Sequence, residues 1–433
     1  MEKYKNIAKR ILDKVSSKGV DMAYCIVREG EMREFNVDGG EFSLFRTLFE
    51  RMVAITVFIG GKRGTVSINR FDDESIDSAI ENCLSVAESA TPDDAWELAK
   101  NNGEKHFSLG AIIPDTEKLF FRTKELVEDI NKRHPKIIME QMIVHHNVTR
   151  GVYLSTTNNC YTSESGRYVA ELMYSAHEGD KATSFFGSYV VATDLDKPFI
   201  DCAFFERELT DIENQIDAKA IDGKFTGTVI FTPDCLVNTV FDNICENFAS
   251  GSVLLDGTSL WKDKLGQKVA DERITVSFNP SDKRIVNGEI YTNEGYLSED
   301  FDFIKDGKLQ SFLISQYIAN KTKNTRSKNM SSSYVIKEGD TPLDEMIKNV
   351  EKGVIIGRFS GGNPNTNGEF SGVAKNGFYI ENGKILHALS ETMISGNLAD
   401  MLNNLVGISK ETLINGSVVA PYMAFDGITI SGK

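Results

Sequence analysis

The side chains able to bind metal or attack a substrate are few and scattered. The six histidines are His106, His134, His145, His146, His177 and His387. His145 and His146 are adjacent in a strand-like run, so alternation sends them to opposite faces and they cannot grip one ion together. His177-Glu178 begins like a zinc-binding helix motif, but Lys181 and Ala182 stand where a second histidine would be needed, and the pair reads as a strand end entering a turn. His387 falls in an expected hairpin, where a structural role is the plainer reading. Cys25, Cys83, Cys160, Cys202, Cys235 and Cys245 form no CxxC pair, so free, reduced thiols are expected. No GxSxG elbow is present. The 63 acidic residues make chance carboxylate pairs inevitable. Asp242 and Glu246, four apart, share a helix side and read as a solvated acidic face rather than a metal pair. The Gly/Asn-rich stretch SGGNPNTNGEFSGVAKNGFYIENGK (360–384) lacks the GK[ST] signature and following helix of a phosphate loop.

The elements that must position these residues change character along the chain. Ile7, Ile11, Leu12 and Val15 have helical spacing, and helices are also expected in DDESIDSAIENCLSVAESATPDD, with a Pro after its end, in TEKLFFRTKELVEDINKRH and in DCAFFERELTDIENQIDAKA. MAYCIVREG and REFNVDGGEF read as strands. RMVAITVFIG and TVSIN flank a Gly-containing turn, and 136–193 is a run of strands. After a boundary placed near 220 come a strand GTVIF and a helix over 233–249. Thr232 is its expected cap and Pro233 its first residue. Leu236, Val237, Val240, Phe241, Ile244 and Phe248 form its apolar stripe. Asp306-Gly307 and Asn382-Gly383 mark two tight hairpins. Thr341 and Pro342 are the expected start of a helix over 343–351. The fold class is α+β: a mixed helix/sheet domain over 1–220 and a strand-rich domain over 221–433.

The bulk composition excludes several classes. The chain has 433 residues, 41% hydrophobic and 26% charged, within the ordinary globular range. No apolar run approaches the ~18 residues of a membrane span. The N-terminal segment is an amphipathic helix without a signal-peptide core, so a cytoplasmic location is expected. A net charge of −15 disfavours direct nucleic-acid contact. The basic stretch KTKNTRSK (321–328) reads as a solvated loop.

The stretches NPNTNGEFSGVAKNGFYIENGKI, ETMISGNLADMLNNLVGIS, FDGITISGK, TSLWKDKLGQKVADERITVSFNP and FLISQYIANKTKNTRS closely resemble the TldD/PmbA (TldE) family. EFNVDGGEFSLF and RMVAITVFIGGKRGTVSIN fit its N-terminal pattern more loosely. The family carries the label "modulator of DNA gyrase" and is associated with metallopeptidase activity. The resemblance implies two types of chain. TldD-type chains carry HExxxH on a helix and a C-terminal cysteine as zinc ligands. PmbA/TldE-type chains lack them and can pair with a TldD-type subunit that degrades unfolded peptides or removes leader peptides.

By this resemblance, the HExxxH positions of this chain hold Asp242, Asn243 and Asn247, with Glu246 beside them, and no cysteine follows Cys245. The resemblance therefore implies a PmbA/TldE-type chain without metal of its own, zinc being expected only in a TldD-type partner. Asn363, Asn365, Asn367, Glu369 and His387 are the substrate-binding candidates, because a loop of this kind suits main-chain bonding to an extended peptide. Expected partners are a TldD-type subunit or a second copy of the chain, with unfolded peptide as substrate. A homodimeric peptide binder without catalysis, a hydrolase using a carboxylate-bound metal, and a DNA-topology regulator acting through a protein partner remain alternatives.

Overall fold

The computed structural model describes residues 1–390 and 392–432; Glu391 and Lys433, which belong to two of the stretches quoted above, lie outside it. The first sheet runs in the order Lys62–Ile68, Glu41–Ile59, Met22–Asp38, Ile137–Ser155, Asn159–Glu178, Gly103–Gly110, and Phe186–Ala192 also pairs with Asn159–Glu178. MAYCIVREG and the following REFNVD are one 17-residue strand. It turns back at Gly39-Gly40 and pairs through Met22↔Phe58. Helices Glu2–Ser16 and Asp73–Ser89 cover one face, where Ile11, Val15, Ile80 and Cys83 pack on Cys25, Val27, Ile55 and Val57. Helix Thr116–Arg133 covers the other end of the sheet.

The second sheet contains a closed barrel. Lys224–Phe231 lies parallel to Lys352–Ser360. The chain of neighbours continues antiparallel through Glu369–Glu381, Thr392–Asn397 and Val419–Ser431. Val419–Ser431 pairs back onto Lys224–Phe231 and closes the ring. Closure satisfies the backbone of every barrel strand without an open edge. The molecule is α+β, with a strand-rich second half.

The hairpins form where the turn residues allow positive φ: Gly60-Gly61 at 57° and 74°, Asp306-Gly307 at 47° and 71°, Asn382-Gly383 at 49° and 71°. Two helix starts differ from expectation. Helix Leu343–Lys348 begins after Pro342, and its first amide is held by the Glu411 carboxylate at 2.9 Å rather than by Thr341. The helix expected over 201–220 is confined to Phe205–Glu213, where Phe205, Leu209 and Ile212 face the core. The described cysteines are all unpaired. Among the described residues no helix is long and apolar enough to cross a membrane.

The halves are interlocked. Tyr291 of the second half packs against Tyr153 and Tyr161 of the first sheet, with ring centroids 5.3 and 5.1 Å apart. Tyr317 stacks on Trp96 at 3.8 Å.

Candidate functional site

Strand Lys224–Phe231 delivers the chain into the helix over 233–249. Pro233 fixes its first turn, and the Leu236 amide bonds to the Thr232 carbonyl at 2.7 Å. Thr232 has the extended backbone of a cap, but its hydroxyl makes no capping bond and is left without a partner. The sequence-based cap is thus met by backbone alone. The apolar stripe is buried as expected, with Leu236, Val240, Phe241, Ile244 and Phe248 fully enclosed. The helix is not a regular α-helix. Leu236–Phe241 and Cys245–Ala249 are π-turns, a geometry that occurs mostly as local bulges and often at functional sites. The Asn243 side-chain amide donates to the carbonyls of Asn238 (3.1 Å) and Thr239 (3.0 Å), sealing the end of the first π-turn.

Asp242 and Glu246 both reach solvent, as a solvated acidic face should. Asp242 is also crowded on its inner side, where the buried Tyr334 hydroxyl donates to its Oδ1 at 3.0 Å. This partial desolvation raises the Asp242 pKa, the Glu246 charge adds to the rise, and the Tyr334 hydrogen bond opposes it.

The loop 361–368 is fixed onto this helix. Pro364 is buried, and its carbonyl accepts the Asn247 amide at 3.2 Å. Asn365 Oδ1 accepts from the amides of Asn367 (2.9 Å) and Glu369 (3.2 Å), forming a tight turn. Asn397 donates to the Asn367 carbonyl at 2.8 Å while its Oδ1 caps helix Leu398–Met401. Gly368 sits at φ 84°, where a Cβ would stand 2.8 Å from Asn397 Oδ1 and 3.1 Å from the Phe248 ring. Asn363, Asn365, Asn367 and Glu369 are exposed around the turn. Asn365 is committed to the loop's own backbone, whereas Asn363 makes no side-chain hydrogen bond among the described residues.

His387 is not brought to this place. It lies opposite Tyr379, its ring 5.3 Å from that ring and its Nδ1 2.9 Å from the Ala388 carbonyl oxygen. Glu369 begins the strand whose far end carries Tyr379, on the order of 30 Å away at ~3.3 Å per residue.

Comparison with known proteins places this geometry. The model of the PmbA/TldA metallopeptidase C-terminal domain matches residues 224–432, and that of the PmbA/TldA metallopeptidase domain 1 matches residues 25–87. The chain belongs to the PmbA/TldD family. It is similar to the metalloprotease PmbA of Escherichia coli O157:H7, with 25% identity over 426 residues, 92% of this chain and 89% of that one. Its fold matches TldE from Thermococcus kodakarensis with a TM-score of 0.83 at 19% identity, over 98% of this chain and 100% of the other. A Bacteroides thetaiotaomicron structure carrying the gyrase-modulator name matches with a TM-score of 0.85 at 22% identity, over 99% of both chains. Membership supports a protease-related role.

The zinc that a metallopeptidase family implies does not fit the side chains present at this PmbA/TldD-type helix. Catalytic zinc takes three ligands from His, Cys or carboxylate. Here the Asn243 and Asn247 amides already hold backbone carbonyls, and Asp242 is tied to Tyr334. The half-buried Cys245 has its thiol pKa pushed up by desolvation. No group of three or more His, Cys, Asp or Glu among the described residues is placed to hold a metal ion.

Sequence reasoning missed a carboxyl pair at the start of the same helix. Glu208 of helix Phe205–Glu213 meets Asp234, and Ser188, itself bonded to Tyr174 at 2.8 Å, donates to Glu208. Burial pushes Asp234 up to about 6; burial and the Asp234 charge push Glu208 well above the carboxylate range. One proton shared between them relieves the repulsion. Nothing in the local sequence marks the pair, since each is an ordinary acidic residue near a helix start.

Proposed function

We propose that this PmbA/TldD-family chain is the zinc-free partner subunit of a TldD-type protease acting on unfolded peptides. The observation that carries the reading is the use made of Asn243 and Asn247. At positions matching the metal helix, both side chains are spent on the protein's own carbonyls. The helix therefore serves as a support for the loop 361–368 rather than as a ligand platform. The loop presents exposed Asn363 beside a turn held rigid by Asn365 and Asn397, which suits contact with an extended peptide across a subunit interface.

The test is co-purification with a TldD-type chain, followed by a peptidase assay of each chain alone and of the mixture. Cleavage by the mixture of a peptide that the TldD-type chain alone leaves intact is the expected result. No gain on mixing, or stoichiometric zinc in the purified chain by metal analysis, overturns the reading. Asn363→Ala is expected to lower the mixture's activity while leaving co-purification intact.

A further inference from the structure

We propose that the crevice between the first sheet and the loop 287–291 is a binding site for a multi-oxygen anion, a phosphate or carboxylate group. The crevice encloses about 270 Å³ at the junction of the two halves, a common location for ligand sites. Neighbouring strands build its floor. Arg28 lies opposite Gly151, which lies opposite Ser163, and Thr149 lies opposite Ser165. Arg167 stands two residues beyond Ser165 on the same face. Gly151 has a reason to lack a side chain, because a Cβ there would stand 2.6 Å from the Val27 carbonyl oxygen and 2.8 Å from Arg28 Cγ. Its absence lets the arginine lie across the strand.

The arginines single the crevice out. Among the described residues, every other arginine has an acidic partner or lies over an aromatic ring. Arg28 and Arg167 alone have no ion pair, side-chain hydrogen bond or ring contact, and both line this one crevice. A chain of net charge −15 has acids to spare, yet none among the described residues forms an ion pair with either guanidinium. Glu289 is the one acid in the lining, and its Oε1 already accepts from Ser298 and from the Met330 amide. Glu50, across Gly30 on the same sheet face, stands outside the lining. Two guanidiniums flanking the Thr149, Ser163 and Ser165 hydroxyls form a donor-rich floor, and charge-assisted bonds to an oxyanion are the strong ones in such a cleft.

The roof is held in place. Asn287, at φ 54°, donates to the Gly166 carbonyl at 3.2 Å, and the Tyr161 hydroxyl donates to the Gly295 carbonyl at 2.9 Å. The site is therefore complete only when the halves are docked. It is independent of the peptide-processing reading.

The test is isothermal titration calorimetry of the full chain with two probes, inorganic phosphate and a tetraglutamate peptide, each against chloride of equal ionic strength. Saturable binding of at least one probe at one site per chain is expected. It should weaken at least about tenfold in R28Q/R167Q, since each lost charge-assisted bond is worth about that factor. Because neither guanidinium has an ion pair or side-chain hydrogen bond among the described residues, the variant's urea midpoint without anion should stay close to that of the wild type. R167Q alone carries the same reading should the double variant lose its fold. Binding of phosphate assigns a free anion, and binding of the peptide alone assigns a peptide-borne carboxylate; either supports the site. Absence of binding above chloride for both probes, or affinity undiminished in the variants, overturns it.

Discussion

Replacing Asp234 with asparagine should stabilise the protein at pH 8 and leave it nearly unchanged at pH 4. The Asp234 carboxyl is raised in the folded state from an ordinary 3.8 to about 6 by burial beside Glu208. A folded value above the unfolded one means that the native state binds more protons between those two values. Stability therefore falls as pH rises through that window, and the full cost is present above about pH 6. The rise corresponds to roughly 3 kcal/mol. The first turn of a helix favours negative charge by about 0.3–1 kcal/mol, which offsets part of it. Asparagine removes both effects and retains a group that can bond to Glu208. A net gain of about 2 kcal/mol at pH 8 is expected, fading as pH falls from about 6 to about 4, below which Asp234 is protonated in both states. Urea unfolding of wild type and D234N at pH 4 and pH 8 reads this directly. A wild type more stable than D234N at pH 8, or the same difference at both pH values, would refute the shared-proton account. Glu208→Gln should act in the same direction, and the double variant should gain less than the sum, because either change alone removes the repulsion.

The remaining expectations concern the loop and its supports. Asn247→Ala removes the bond to the Pro364 carbonyl and should cost about 1 kcal/mol, with faster hydrogen exchange confined to 361–368; unchanged exchange there would show that the loop stands without the helix. Gly368→Ala places a Cβ at positive φ and 2.8 Å from Asn397 Oδ1, so its urea midpoint should fall, by more than the ~1 kcal/mol typical of strain at such a site. Tyr334→Phe removes the hydrogen bond that lowers the Asp242 pKa, so an NMR titration of that carboxyl should move to higher pH.

Much of the fold was legible because its signals are local. The apolar stripe of the helix over 233–249 is a repeat that any core will bury. The Asp306-Gly307 and Asn382-Gly383 turns are dictated by which residues tolerate positive φ. Caps were less legible. Thr232 and Thr341 have the right chemistry in the right place, yet one hydroxyl goes unused and Glu411, far along the chain, supplies the other helix's first acceptor. Of the candidate site, the Asn-rich loop and the metal-helix positions were found from the resemblance, and their contact through Asn247 and Pro364 came only with folding. His387, named with the loop residues as a candidate, is carried away from them by an extended strand at ~3.3 Å per residue.

The sequence by itself determined the family, the α+β class and the residue types at the metal-helix positions, because these depend on identity and short-range spacing. The tertiary structure decided what those residues do. It turned Asn243 inward to its own helix and Asn247 outward to the loop. It set Asp234 against Glu208, and it left Arg28 and Arg167 facing one crevice without an ion pair among the described residues. Apart from the Asn243 contacts within its own helix, these pairings join segments well separated in the chain. Their energies arise from burial and geometry that no local pattern encodes.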